Sequence, residues 1–220
     1  MIEAVIFDMD GLLIDSEPLW RMAEKKVFAT VDIHLNDEDF DHFMGFKINE
    51  VADYWYGKYP WSKKTKVELE NEILDELETL IKEQGTVMKG VITLLDFFKN
   101  KNISMAIASS SPNRIIQMVV NKLNIRNYFK IIHSAEMEQY GKPHPAVYIH
   151  TAKQLNVIEP CCLVFEDSFN GLISAKAARM KTISVPDAKQ FDQTRFDIAD
   201  IKLASLTDFT ETHWLQLNKH

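Results

Sequence analysis

Two aspartates, Asp8 and Asp10, close the short apolar run Glu3-Ala4-Val5-Ile6-Phe7-Asp8 and stand two residues apart, just before Gly11. At that spacing both carboxylates can face one crevice, and Gly11 permits the turn that follows. Two acids so close repel each other, so one is protonated or a cation lies between them. An all-oxygen site of this kind suits magnesium. Taken alone, the pair suits equally well two residues that cap the next turn, because short motifs also match by chance.

Three further groups follow apolar runs in the same way. Ile107-Ala108-Ser109-Ser110-Ser111-Pro112 puts a hydroxyl and several backbone N–H groups where a helix should begin, which makes an anion site. The same serines would serve as plain caps for that helix. Lys142, in Gly141-Lys142-Pro143-His144-Pro145, sits in a loop restricted by two prolines and can reach a phosphate or an acylphosphate. A solvated loop lysine is the alternative. His144 reads as a turn or capping residue, since no His or Cys partner stands at ligand spacing. Last, Leu163-Val164-Phe165-Glu166-Asp167-Ser168 ends on two acids, where Asp167, and Glu166 through water, can complete the oxygen shell of the same cation. Each piece is weak by itself. Their order, each at the end of an apolar run, points to one magnesium-dependent phosphoryl-transfer site.

The elements that must bring these residues together can be read from periodicity. Short apolar runs at 3–8, 103–108, 129–133, 162–165 and 182–185 suit strands covered on both faces. Between them lie helical stripes: Val91, Leu94, Leu95 and Phe98; Ile115, Ile116, Val119 and Leu123; Val147, Ile149, Ala152 and Leu155; Leu172, Ile173, Ala175 and Ala178. Strand alternating with helix predicts an α/β fold, a Rossmann-like, doubly wound parallel sheet. Ligands of such a sheet bind beyond its carboxyl edge. Residues 15–85 read as almost wholly helical, with a stripe at Leu69, Ile73, Leu77, Leu80 and Ile81 and a helix start near Ser16 or Glu17 that tolerates Pro18. This predicts an α/β core of residues 1–14 and 86–220, interrupted after its first strand by an all-α cap of residues 15–85.

The 220 residues carry 25 Lys and Arg against 32 Asp and Glu, a formal charge of −7, which argues against general nucleic-acid binding. The start, Met1-Ile2-Glu3, has no basic leader, and no apolar run approaches the ~18 residues of a membrane span. The two cysteines, Cys161 and Cys162, are adjacent and poorly placed to bridge each other, which fits a cytoplasmic protein.

With these residues in hand, the chain resembles the haloacid-dehalogenase-type phosphatases over nearly its whole length. The resemblance rests on motifs around Asp8/Asp10, Ser109, Lys142 and Glu166/Asp167 and on the helical insertion. More narrowly, FDMDGLLIDSEPLW (7–20), GFKINEVADYWYGKYPW (45–61) and EDSFNGLISAKAARM (166–180) are similar to bacterial hexitol and 2-deoxyglucose-6-phosphate phosphatases. The resemblance implies Asp8 as nucleophile forming an aspartyl-phosphate, and Asp10 as general acid and then base. It implies magnesium held by Asp8, the Asp10 backbone carbonyl and Asp167, with Glu166 behind them. Ser109, the Ser110 amide and Lys142 would stabilise the phosphoryl charge, with Asn113 reaching phosphate or substrate. Gly45-Phe46-Lys47 matches the cap's specificity loop, so Lys47 would contact sugar hydroxyls or phosphate, or else remain a solvated lysine. Trp20 would line the sugar pocket, while Trp55 and Trp61 pack the interior. The implied partner is a small phosphorylated sugar or polyol, such as 2-deoxyglucose 6-phosphate, sorbitol 6-phosphate or mannitol 1-phosphate, for a monomer or weak dimer.

Two alternatives remain open. β-Phosphoglucomutases share this cap and core but carry a histidine where this chain has Trp20, which favours a phosphatase. Phosphoacceptor signalling domains also combine acids, a Ser or Thr and a Lys, yet they are about half this length and lack a helical cap.

Overall fold

A computed structural model of the chain describes residues 1–41 and 43–219. In chain order its elements are β1 (Ala4–Phe7), α1 (Glu17–Ala29), α2 (Asp37–Asp41), α3 (Ile48–Lys58), α4 (Lys66–Gln84), α5 (Val91–Asn100), β2 (Ser104–Ser109), α6 (Asn113–Lys122), β3 (Ile131–Ser134), α7 (Ala146–Leu155), β4 (Cys162–Glu166), α8 (Phe169–Ala177), β5 (Lys181–Ser184), β6 (Ile201–Lys202) and α9 (Glu211–Asn218). The strands form one parallel sheet in the order β3-β2-β1-β4-β5-β6. This is the expected doubly wound arrangement, with β1 beside the point where strand order reverses. The five apolar runs became strands to within a residue or two. The sixth strand has only two residues, too few to show any periodicity.

Side-chain alternation along the strands sorts the core into two unlike faces. Val5, Phe7, Ile107 and Phe165 face one side and join the large cluster that includes α5, α6 and α9. There Phe7 stacks on Phe165 at 5.2 Å and meets Phe98 edge-on at 6.2 Å. Ala4, Ala106, Ala108 and Cys162 face the other way, against Val147, Tyr148 and Ala152 of α7 and Ala175 of α8. Small side chains on this second face let α7 lie close, and Tyr148 is fully buried against the sheet.

The register aligns the strand ends. Phe7 pairs with Ile107 on one side and with Phe165 on the other. Asp8, Ala108 and Glu166 therefore stand level at the carboxyl edge.

In the stretch of chain between β1 and α5, helices α1 and α3 both pack on α4. The expected stripe of α4 is buried, Leu74 included, and Thr65 and Glu68 cap its start reciprocally. Phe28 meets Trp55 and Trp61 edge-on at 6.3 and 6.2 Å, so both tryptophans are interior, as expected. The connections into and out of this block run side by side: the Asp15 amide donates to Thr86 O at 3.0 Å and the Met88 amide to Leu13 O at 3.1 Å. Both cysteines are free thiols. Among the described residues no helix is long and apolar enough to cross a membrane.

The close approach of α7 depends on alanine at 106. Ala106→Leu should lower stability in urea unfolding by about 1–3 kcal/mol, the usual cost of overpacking a filled core. A volume-tolerant face would show no change.

Candidate active site

At the carboxyl edge, the ends of β1, β2 and β4 and the loop after β3 bring Asp8, Ser109, Lys142, Glu166 and Asp167 together. The Lys142 ammonium donates to Asp8 Oδ1 and to Glu166 Oε1, both at 2.5 Å, and to the Ala108 carbonyl at 3.3 Å. It is 1% exposed, so this is a buried ion pair and the solvated-loop alternative for Lys142 does not hold. Glu166 is saturated: its Oε1 also accepts from the Tyr148 hydroxyl at 2.5 Å, and its Oε2 from the Ser168 amide and hydroxyl at 3.2 and 3.1 Å. Gly171, at the start of α8, is needed for this fit, since a Cβ there would lie 1.8 Å from Glu166 Oε1.

Asp10 is held by a second set of donors. Ser16 Oγ and Trp20 Nε1 donate to its Oδ1 at 2.6 and 3.0 Å. Ser111 Oγ donates to its Oδ2 at 2.7 Å, with Ser109 Oγ at 3.5 Å. The hydroxyl of Ser16, expected only to start α1, thus makes no cap bond and reaches across to Asp10. Gly11 has φ +72°, and a Cβ on it would lie 2.2 Å from Asp167 Oδ2, so the turn brings its backbone against that acid.

Other candidates sit differently from what the sequence suggested. Asn113 is exposed in the first turn of α6, where its Oδ1 accepts from Gln117 Nε2 at 3.2 Å, outside the crevice. Lys47 is buried, but its ammonium donates to the Glu138 carbonyl at 3.0 Å and does not line the crevice. It fastens the helical block to the loop that carries Lys142. Two more bonds fasten the same block, one to the Lys142 loop and one to the loop after β2: the Gly141 amide donates to Glu50 Oε1 at 3.0 Å, and Ser110 Oγ donates to the Gly45 carbonyl at 2.6 Å. His144 caps, with its Nδ1 accepting from the Ala146 amide at 3.3 Å.

Sequence reasoning also overlooked several groups. Ser16, Ser111 and Tyr148 hold the site acids, and Glu24 lines the crevice. Tyr148 carried one signal, its place in a helix flanked by two apolar strands. Ser16 and Ser111 read only as residues at helix starts, and Glu24 on α1 carries no signal.

The electrostatics follow from burying more acid than base. Burial pushes the Asp8 carboxyl up to about 8; Lys142 opposes this, while Glu166 and Asp10 reinforce it. Burial likewise holds Asp167 well above the usual carboxylate range, together with Asp8, Glu166 and Glu17. Lys142 is held above its ordinary value because Asp8 and Glu166 outweigh burial, the largest single influence, which acts downward. Oxygens of Asp8, Glu166 and Asp167 lie within 4.8 Å of one another. Asp167 accepts no hydrogen bond from any described residue. An incompletely neutralised, all-oxygen cluster with one unengaged carboxylate fits a hard divalent cation such as magnesium.

Residues 5–185 match the family model of the haloacid dehalogenase-like hydrolases. The chain belongs to that family. Among relatives of this hydrolase, hexitol phosphatase B of Escherichia coli (strain K12) is 38% identical over 210 residues, 95% of each chain. A phosphorylated carbohydrates phosphatase of Thermotoga maritima is 31% identical over 185 residues, 83% of this chain and 84% of that one. A solved β-phosphoglucomutase of Clostridium difficile superposes with a TM-score of 0.88 at 28% identity, covering 99% of this chain and 97% of its own.

Glu24 offers a stability test of the hydrolase's crevice. Burial, aided by Glu17 and opposed by Arg21, pushes its carboxyl up from 4.5 to about 8. Such a group stabilises the fold fully below its unfolded value, and that contribution is lost as pH rises through the folded one. Glu24→Gln removes the ionisation. The variant's stability relative to wild type should therefore grow by about 3–4 kcal/mol between about pH 5 and pH 9 in urea unfolding. A difference independent of pH would contradict the burial of an ionisable group there.

Proposed function

We propose that this hydrolase is a phosphoric monoester hydrolase of sugar and polyol phosphates, with hexose and hexitol monophosphates as substrates and an aspartyl-phosphate on Asp8 as intermediate. The observation that carries this reading is the convergence of Asp8, Asp10, Ser109 and Asp167 on one crevice at the sheet's carboxyl edge, with Lys142 buried against Asp8 and Glu166. The likeness to hexitol phosphatase B over 95% of both chains supports the substrate class. In this reading residues 1–14 and 86–220 are the core and 15–85 a cap, consistent with the paired connections near Asp15 and Thr86.

The steps assign work to particular atoms. The Asp8 carboxylate attacks phosphorus, and the ester P–O bond breaks with its electron pair leaving on the sugar oxygen. Asp10, held by Ser16, Trp20 and Ser111, gives that oxygen a proton. Asp10 then takes a proton from water, whose oxygen attacks phosphorus, frees phosphate and restores Asp8. Lys142 lies 2.5 Å from Asp8 Oδ1, so it favours the ionised nucleophile and stands where phosphoryl charge develops. Ser109 and the Ser110 amide take further phosphoryl oxygens. Asp8, Asp167 and the Asp10 backbone carbonyl would hold magnesium, whose chemistry when bound is to neutralise phosphoryl charge. Glu166, saturated by its own partners, orients Lys142.

A second reading, a β-phosphoglucomutase-type mutase, is favoured by the likeness to the Clostridium difficile enzyme. Supplying β-glucose 1-phosphate with its bisphosphate separates the two. Free phosphate is expected, and accumulation of glucose 6-phosphate would select the mutase. A phosphate-release screen over sugar and polyol phosphates with magnesium tests the substrate class.

Two variants test the roles. Asp8→Asn should lose at least about a thousandfold in turnover while keeping its fold by circular dichroism, because it removes the covalent route. Asp10→Asn should lose about 10²–10⁴-fold on a sugar phosphate and clearly less on an activated aryl phosphate, which needs little proton donation. Equal losses on both esters would remove the general-acid role.

A further inference from the structure

Outside the strand-end cluster, two groups of titratable side chains stand out among the described residues. His133, Glu138 and His150 approach one another closely enough to hold a metal. They already satisfy each other, however: both imidazoles bond Glu138 Oε1, at 2.6 and 2.7 Å, and Gln154 Nε2 lies 3.0 Å from the remaining nitrogen of His133. That network needs no ligand to explain it. Glu24 is different. Its side chain is buried at 8% exposure, lines the crevice, and makes no hydrogen bond or ion pair with any described residue. With no partner among the described residues and a place in the crevice wall, its carboxyl is open to a group that arrives from outside.

Helix α1 shows where that group must lie. Glu17, Trp20, Arg21 and Glu24 follow i, i+3, i+4, i+7 spacing and form one face, all lining the crevice. Leu19, Ala23 and Val27 form the buried apolar face. The stripe begins at the core, where Glu17 stands beside Gly11. It continues through Trp20, whose indole touches Asp10 at 3.0 Å. Glu24 comes one helical turn later, about 6 Å farther along the axis. A substrate whose ester oxygen meets Asp10 therefore extends its carbon chain along this stripe toward Glu24.

The chemistry there selects the kind of chain. A protonated carboxyl offers one donor and further acceptor positions, which matches a hydroxyl, itself both donor and acceptor. Resting on the sugar-phosphate reading of the crevice, we propose that Glu24 is a specificity-determining residue that receives the hydroxyl groups of an uncharged polyol or sugar tail.

The test compares wild type, Glu24→Leu and Glu24→Gln on a hexitol 6-phosphate and on p-nitrophenyl phosphate, which has no hydroxylated tail. For Glu24→Leu, the fall in kcat/KM on the hexitol phosphate should exceed the fall on the aryl ester by tenfold or more. It should appear mainly in KM, because the bond forms in the ground state as well. Glu24→Gln keeps a donor and an acceptor, so its additional loss should stay within about threefold. Melting curves of both variants check the fold, and the glutamine variant carries the comparison should leucine disturb the helix. Equal losses on the two esters, or a glutamine variant as impaired as leucine, would overturn the assignment of Glu24 and leave the phosphatase reading standing. Wild-type turnover of the aryl ester with none of any sugar or polyol phosphate would overturn both.

Discussion

One ammonium ion buried among three carboxylates is the constraint on which the rest of the site depends. Lys142 touches Asp8 and Glu166 at 2.5 Å, and Asp167 stands close by with no donor among the described residues. Removing one partner from such a group strands a buried charge, so its neighbours are specified tightly. Glu166 is anchored by Tyr148 and Ser168, which leaves Lys142 in line with Asp8. Tyr148 arrives only because Ala106, Ala108 and Cys162 keep that face of the sheet shallow. Gly171 stays bare so that α8 can begin against Glu166. The surplus negative charge that remains is what makes a divalent cation chemically apt at Asp8 and Asp167.

The helical block is joined to the same groups. Gly45 is bonded by Ser110, Lys47 bonds the Glu138 carbonyl, and Glu50 accepts from the amide just before Lys142. In the proposed function, lifting the cap to admit substrate breaks bonds to the very loops that carry Ser110 and Lys142. Closure and assembly of the phosphate-binding groups are then one event, a common device for excluding water from a reactive intermediate. Trp20 joins the helical block to the sheet edge in a second way, since it sits on α1 and bonds Asp10.

Much of this was legible in the sequence because strand ends are readable. Asp8, Ser109, Glu166 and Asp167 each close an apolar run, and in a parallel doubly wound sheet such ends gather at one edge. Lys142 was readable from its order in the chain and its flanking prolines. Asn113 and Lys47 were placed by resemblance alone, and their side chains turn to Gln117 and to Glu138 instead. Ser16, Ser111 and Glu24 stayed hidden for a physical reason. A hydroxyl just before a helix, as at Ser16 and Ser111, or a carboxyl on one, as at Glu24, carries no periodicity of its own, and what it meets is set by tertiary packing across the crevice. The net charge of −7 was similarly uninformative, because a handful of buried acids decide the local field.

The proposed chemistry stands or falls on a phosphoryl group bonded to Asp8. Single-turnover reaction with a hexitol phosphate and magnesium, quenched and reduced with borohydride, converts an acylphosphate aspartate to homoserine, and peptide mass spectrometry locates the change. Homoserine at position 8, dependent on substrate and absent from Asp8→Asn, is the expected result. Rapid phosphate release with no modification at Asp8, or with modification at another acid, would contradict it.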